Sequence, residues 1–397
     1  MKKPVYASLL LLGFAASAAY AAELTISGNV SQTLSASDNY FLNNHPAGPT
    51  YDSTTALGLN FLARTPLTDY RLDTHISYFT YFGEGAADTT QKTGAPMGAN
   101  FNVDHRSDPL TRWNAGVSWE RVDVAGAQLL QSGTSTATGF QDTSTAHASV
   151  TRDLTALDTV SLLAMGSNAT YTAPGQTPYN DANALATWIH HFSPLLTWNN
   201  SLYFDSFFAQ DTAETQRLFW RANSGLEMTV SPRLKTHAAF GWVFAHSYAT
   251  ADVAAAPLSS GLFQTGAGNL PVWDIGLTYD LTKTASAVLS FNRAVTPTIT
   301  GQLQEGTGVQ GGITNQVNAY SSYSVTSSFS HLNGGIGSTA SDLFTATAGY
   351  SYRFTKELRG TASYTFTTRH DDTGVARSNT FLVSLTRNFT VLPGPGF

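Results

Sequence analysis

Residues 218–230, LFWRANSGLEMTV, carry the pattern that decides the fold. The even-numbered residues are mostly apolar, whereas the alternate residues include Arg221, Asn223 and Glu227. A period of two, with one apolar and one polar face, is typical of an amphipathic β-strand. The same period recurs in residues 57–63 and 113–119. The sequence therefore predicts an all-β protein.

The composition excludes several other classes of protein. Of the 397 residues, 42% are hydrophobic and only 12% are charged, whereas coiled coils and helical repeats usually carry about a quarter charged residues or more. The chain is too apolar for intrinsic disorder, and after Ala22 no apolar run approaches the roughly 18 residues of a transmembrane helix. A soluble β-sandwich would carry more Lys and Glu on its exposed strand faces.

The first segment predicts export from the cytoplasm. Lys2 and Lys3 precede the apolar stretch 5–18, and Ala19-Tyr20-Ala21 is a small-residue cleavage site. We therefore expect residues 1–21 to be a cleaved secretory signal peptide and residues 22–397 to form a single barrel domain. The apolar stretch is short for an uncleaved anchor. The net charge is already −6 before the two lysines are removed, which argues against a nucleic-acid partner.

The absence of Cys removes two sources of stability. It excludes disulfides and thiolate metal sites. A closed barrel in lipid needs neither, because all its strand edges are paired.

Two kinds of connection alternate along the chain. Seven short connections are predicted at Pro66-Leu67-Thr68, 122–125, 153–158, Ser193-Pro194-Leu195, Ser231-Pro232-Arg233, Thr282-Lys283-Thr284 and Thr355-Lys356-Glu357. Eight longer stretches rich in small and polar residues are predicted at 37–52, 83–109, 132–143, 172–180, 210–215, 249–268, 297–340 and 370–376. Short periplasmic turns and long external loops are typical of transmembrane β-barrels.

Fifteen connections predict a transmembrane antiparallel up-and-down β-barrel of about 16 strands. Within the longest stretch, residues 319–331 (AYSSYSVTSSFSH) are themselves strand-like, which leaves an 18-strand barrel as the alternative. One added strand would invert the clear hairpin around Lys356. The sequence therefore favours 16 strands, with residues 297–340 as an external loop.

The two ends of the mature chain carry a family resemblance. Phe381, Val383, Leu385 and Phe389 alternate in a last strand that resembles the insertion signal of outer-membrane barrels, although residues 390–397 follow it. With the hairpin of residues 350–360 and the opening LTISGNVSQTLSASDNYF, the chain resembles porin-like outer-membrane barrels of proteobacteria. The resemblance implies a gram-negative outer membrane, contact with its lipid and with the barrel-insertion machinery, and a channel. It leaves a homo-oligomer open and transfers no binding residue.

Strand parity predicts which charged residues line the lumen. The candidates are Arg112, Glu120, Asp205, Arg217, Arg221, Glu227 and Asp274. If residues summing to about 426 lie side by side across the loop near Ala213, Asp205 faces Arg221 at mid-height. Rings of such charges set ion selectivity in narrow pores.

No pattern of catalytic or metal-binding residues emerges. His190 and His191 are adjacent in a predicted strand and so point to opposite faces. The Gly-rich stretch 306–312 lacks the Lys of a phosphate-binding loop and is interpreted as flexible loop. We expect no enzyme activity and no cofactor.

Two functions remain. The sequence favours an outer-membrane channel for passive diffusion of small hydrophilic solutes. The alternative is a non-conducting outer-membrane barrel whose long external loops, 83–109, 249–268 and 297–340, bind a surface partner or polysaccharide, or fold inward as a plug.

Overall fold

The chain folds into one closed antiparallel barrel. A computed structural model describes residues 23–132, 139–172, 176–210, 216–248, 267–297, 303–333 and 340–392. Each strand pairs with its neighbours in the sequence, and the first strand pairs with the last, which closes the wall. The strands are β1 (Glu23–Ser37), β2 (Thr50–Arg64), β3 (Thr68–Phe82), β4 (Thr93–Gly94), β5 (Met97–Asp108), β6 (Thr111–Asp123), β7 (Phe140–Asp153), β8 (Asp158–Tyr171), β9 (Tyr179–Ser193), β10 (Leu196–Ala209), β11 (Gln216–Ser231), β12 (Leu234–Tyr248), β13 (Ala267–Asp280), β14 (Ala285–Pro297), β15 (Leu303–Gln316), β16 (Ser321–Asn333), β17 (Ser341–Arg353), β18 (Leu358–Asp371) and β19 (Gly374–Leu392).

The wall has 18 strands, because β4 continues β5. Both pair with β3 in one register, with Phe79 opposite Gly94 and Ile76 opposite Met97. Pro96 lies between β4 and β5, and it has no backbone N–H to give to the ladder. The two-residue β4 is therefore the far end of an interrupted wall strand.

The expected count of 16 strands is wrong, and the alternative of 18 is confirmed. The stretch 297–340 contains β15 and β16, joined by a tight turn at residues 317–320. Residues 306–312 therefore lie in a wall strand, not a flexible loop, and the external loop expected over 297–340 is wrong for the described residues 303–333. Two added strands, unlike one, leave the hairpin at Lys356 in its original orientation.

Two further predictions in the first third of the chain are wrong. One adds a strand and the other removes one, so together they leave the number of strands unchanged. The stretch 83–109 contains β5, and its true tight turn is residues 109–110. The expected turn at 122–125 is wrong, because Val124–Ser132 forms a helix, α1, which occupies the place of an expected strand. The Asp123 carboxylate accepts a hydrogen bond from the Gly126 backbone at 2.8 Å, and it thereby caps the start of this helix.

The connections define two ends of the barrel. Eight tight connections of two to four residues, at 65–67, 109–110, 154–157, 194–195, 232–233, 281–284, 317–320 and 354–357, lie at one end, called here the tight-turn end. Both described termini, at Glu23 and Leu392, lie there too. The other connections form the long-loop end, although the one at 372–373 is itself only a two-residue turn and not the long loop expected over 370–376.

Large apolar side chains cover the outer face of the barrel. Trp220 is 53% exposed and Phe240 60% exposed, in a chain that buries few large residues. In water this surface would be an extreme apolar patch. Among the described residues, no helix is long and apolar enough to span a membrane. The expected signal peptide, residues 1–21, lies outside the described residues.

Candidate functional site: the inner wall

The inner face consists of the residues that alternate with the exposed apolar ones. In β11, Trp220, Leu226 and Met228 face outward, so Arg217 and Arg221 face inward. The same parity places all seven sequence-derived candidates on the inner face: Arg112 and Glu120 on β6, Asp205 on β10, Arg217, Arg221 and Glu227 on β11, and Asp274 on β13.

The expected pairing of Asp205 with Arg221 is wrong, because the register between β10 and β11 differs from the expected one by two residues. Asp205 lies opposite Phe219, and Arg221 lies opposite Tyr203. The Arg221 guanidinium lies over the Tyr203 ring, 5.2 Å from its centroid, and the Tyr203 hydroxyl donates to Asp205 at 2.8 Å. The ring of Tyr203 therefore connects the two charges, which form no direct ion pair among the described residues.

A second carboxylate of this cluster, Asp181, is not among the candidates derived from the sequence. Asp181 on β9 lies opposite Phe207, two residues along the strands from the pair formed by Asn183 and Asp205. The Asn183 amide donates to Asp181 at 3.3 Å, and Asp205 is only 3% exposed. The parity of β9 alone could have identified Asp181, since it alternates with the apolar residues Ala182, Ala184 and Ala186.

The other candidates have simpler surroundings. Glu227 accepts a hydrogen bond from the Asn199 side chain at 2.7 Å. Asp274 lies 3.5 Å from His237 Nε2. A side chain at Gly276 would collide with the His237 ring, so the glycine makes room for this contact. These are exposed polar contacts, of the kind that a water-filled lumen contains.

An aromatic cluster occupies part of the long-loop end. Tyr40 and Phe41, from the connection after β1, pack against Tyr81 on the inner face of β3, with ring centroids 5.0 and 5.5 Å away. Ala86 from the segment after β3 is part of the same buried cluster, and Leu129 of α1 packs against it. Burial raises the pKa of the Tyr40 hydroxyl to about 12, so this group stays neutral at physiological pH. Three connections therefore turn inward and narrow this opening.

The inner wall divides into two arcs of different chemistry. The inner faces of β2–β13, called here the charged arc, carry the seven candidates together with Asp181 and Lys235. The inner faces of β14–β19 and β1, called here the hydroxyl arc, carry mostly Ser, Thr, Gly, Asn and Gln. Among the described residues, the ionisable side chains of the hydroxyl arc lie only near strand ends, at Glu23, Arg353, Arg359, Arg369 and Asp371.

Hydroxyl groups bond to one another across the hydroxyl arc. Thr347 and Thr365 are 3.1 Å apart on β17 and β18, and Thr33 donates to Ser384 at 2.9 Å between β1 and β19. These bonds use some of the donors and acceptors of the Ser and Thr hydroxyl groups. The remaining donors and acceptors face the lumen. The surface they form is polar without being charged.

No described cluster suggests catalysis or metal binding. Among the described residues, no group of three or more His, Asp or Glu side chains is placed to hold a metal ion. His190 faces outward, 2.8 Å from Asp158, whereas His191 lies 3.0 Å from the Thr197 hydroxyl on the opposite face. The two adjacent histidines therefore cannot act together.

Comparison with solved structures identifies the same architecture in outer-membrane porins. OccAB2 of Acinetobacter baumannii aligns with a TM-score of 0.53 and 8% identity over 93% of this chain and 98% of that chain. The chain has the fold of a porin-like outer-membrane barrel. OccK2 (OpdF) and OpdQ of Pseudomonas aeruginosa give TM-scores of 0.53 and 0.52, each with 8% identity and the same coverage. No protein-family model and no curated protein sequence matches, so the likeness to these porins is one of fold alone.

Proposed function

We propose that this porin-like barrel is an outer-membrane channel for the passive diffusion of small hydrophilic solutes. The observation that carries the proposal is the combination of a closed 18-strand wall with an inner face to which every wall strand contributes polar side chains. Barrels of about 16 to 18 strands leave an aqueous lumen, whereas barrels of about 8 are filled by side chains. An apolar outer face is what such a wall needs in lipid. The proposal includes no catalytic role.

The second function considered from the sequence, a non-conducting barrel that binds a partner through long loops, loses most of its basis. Two of its three loops, 83–109 and 297–340, contribute wall strands β5, β15 and β16. The third, 249–268, lies outside the described residues except for the first two residues of β13. No described contact favours this function over the channel.

Planar lipid bilayers test the channel directly. Folded protein should give stepwise conductance increments, and the same protein unfolded by boiling should give none. Folding is checked by gel migration before and after heating, because a closed, fully paired wall resists detergent until it is boiled. A silent bilayer that contains correctly folded protein would refute the channel.

We further propose export through the predicted signal peptide, with the long-loop end outside the cell. Because the natural chain has no Cys, a single introduced Cys gives an unambiguous label. His45→Cys, in the connection after β1, should react with an impermeant maleimide on intact cells. Lys356→Cys, in a tight turn, should react only after the outer membrane is opened. The reverse pattern would invert the proposed orientation.

A further inference from the structure

Two arginines face each other at the tight-turn end of the hydroxyl arc. Arg353 on β17 lies directly opposite Arg359 on β18, and both are on the inner face and exposed. Like charges directly opposite in a sheet destabilise it. The stability of the fold therefore does not explain why two arginines lie opposite each other here.

The pair belongs to a cleft with an excess of positive charge. A cavity of about 650 Å³ is lined by Arg353 and Arg359 together with Arg233, Lys283 and Asp280. Among the described residues, four cations therefore share one cleft with a single carboxylate. Within the described part of the chain, no ion pair joins any of the four to an acidic side chain.

Neutral hydrogen-bonding groups fill the rest of the cleft. Its walls include Ser322, Ser351, Thr314 and Gln316 from the hydroxyl arc, and Tyr320 from the turn between β15 and β16. Guanidinium groups bind oxyanions through paired N–H donors. Hydroxyl and amide groups suit the hydroxylated body of a solute.

We propose that this cleft binds the phosphate group of a hydroxylated solute at the tight-turn opening of the pore. The inference rests on the proposed channel, since the solute reaches the cleft through the lumen. A multivalent anion fits better than a single carboxylate because the cleft carries three more positive than negative charges. Binding would relieve the repulsion between Arg353 and Arg359.

A second arginine pair in the same barrel provides a matched control. Arg106 on β5 lies directly opposite Arg112 on β6, again on the inner face at the tight-turn end. Its cleft, of about 430 Å³, also contains Arg64, Asp69 and Asp104. Asp69 accepts from Arg64 at 3.1 Å. This cleft thus carries its own carboxylates, and we expect it to bind phosphate weakly.

The test measures the affinity of the full-length folded protein in detergent for inorganic phosphate by titration calorimetry, with chloride keeping the ionic strength constant. The double substitution Arg353→Ser and Arg359→Ser should weaken phosphate binding at least about tenfold, because two charge-assisted contacts are lost. The double substitution Arg106→Ser and Arg112→Ser should change the affinity for phosphate less than about twofold. Lys283→Ser, in an exposed turn, serves as a second test should the double variant fail to fold, and it should weaken binding by a smaller factor.

Three outcomes would overturn the site: no phosphate binding by the natural protein, equal losses in the two double variants, or acetate binding as tightly as phosphate. Bilayer recordings separate this inference from the channel itself. Phosphate binding by a protein that does not conduct would refute only the channel. Conductance without phosphate binding would refute only the site.

Discussion

The charged arc and the hydroxyl arc share one wall and one hydrogen-bond ladder, yet they differ in how their inner faces are held. In the charged arc, side chains fix one another: Tyr203 donates to the buried Asp205 and lies beneath Arg221. In the hydroxyl arc, short side chains bond to neighbours such as Thr347 and Thr365, and water can replace each bond. The first arc can hold charges at fixed positions, whereas the second offers a neutral polar surface.

The largest effect on the free energy of unfolding should come from a substitution on the outer face of β15, in the hydroxyl arc. It tests whether β15 is a wall strand. Val309 lies near the middle of β15, opposite Phe291 and Phe329, and is 41% exposed on the outer face. Val309→Arg would place a cation in lipid, which costs about 2 to 4 kcal/mol near the midplane of a membrane barrel. Unfolding in urea from lipid vesicles measures this loss.

The neighbouring residue provides the control for this substitution. Gln310 faces the lumen, so Gln310→Arg should leave the free energy of unfolding nearly unchanged. If both variants were equally stable, residues 303–316 would behave as the external loop that the sequence favoured.

The contrast between β11 and β15 also explains what the sequence could predict. In β11 the apolar face carries Trp220, Leu226 and Met228, so period-two alternation is plain. In β15, LQEGTGVQGGITNQ, only Val309 and Ile313 are large outward apolar residues in its central part, and glycines interrupt the pattern. A strand in the middle of a wall is held by backbone bonds to both neighbours, which side-chain alternation does not report. The fold class, parity and closure were therefore predictable, but the strand count was not.

The same limit applies to the site. The parity of β10 and β11 predicts an inner and an outer face for each strand, because both strands have strong apolar sides. The register between them was displaced, since the polar connection 210–215 contains no Gly or Pro to mark the centre of the turn. Asp205 and Arg221 are therefore in one cluster, with Tyr203 between them. The helix α1 was missed because residues 122–125 (Val-Asp-Val-Ala) resemble a tight turn as readily as a helix start.

A smaller loss in the free energy of unfolding is expected when one side-chain hydrogen bond is removed from each arc, and the loss should differ between the two arcs. Tyr203→Phe removes the donor to Asp205, which is 3% exposed. Removing a donor from a buried acceptor costs about 1 to 3 kcal/mol. Thr347→Val removes the bond to Thr365, and we expect a loss of under about 1 kcal/mol because lumen water replaces the partner.

Urea unfolding of the two variants measures both losses under one condition. Each variant keeps the shape of the side chain closely, so packing changes little. Equal losses in the two arcs would show that Asp205 is as well hydrated as the threonines, which would remove the physical distinction between the arcs.

The smallest effect in free energy, and the one closest to function, is on ion selectivity. The guanidinium groups of Arg217 and Arg221 lie 5.6 and 5.2 Å from the ring centroids of Phe207 and Tyr203, so both positive charges are held against the wall. Replacing both by Ser should shift the reversal potential in a salt gradient towards cation preference, because charges that line a pore set its selectivity.

Gln310→Arg, which adds a cation to the hydroxyl arc, should shift the reversal potential the opposite way, and Ser328→Ala should not shift it. Each shift should shrink as salt rises, since the screening length falls from about 10 Å at 0.1 M to about 3 Å at 1 M. An unchanged reversal potential at low salt, in variants that still conduct, would mean that the charges of the inner wall only solvate it. A shift from Arg217 and Arg221 without one from Gln310→Arg would instead locate selectivity in the charged arc alone, where side-chain contacts hold the charges in place.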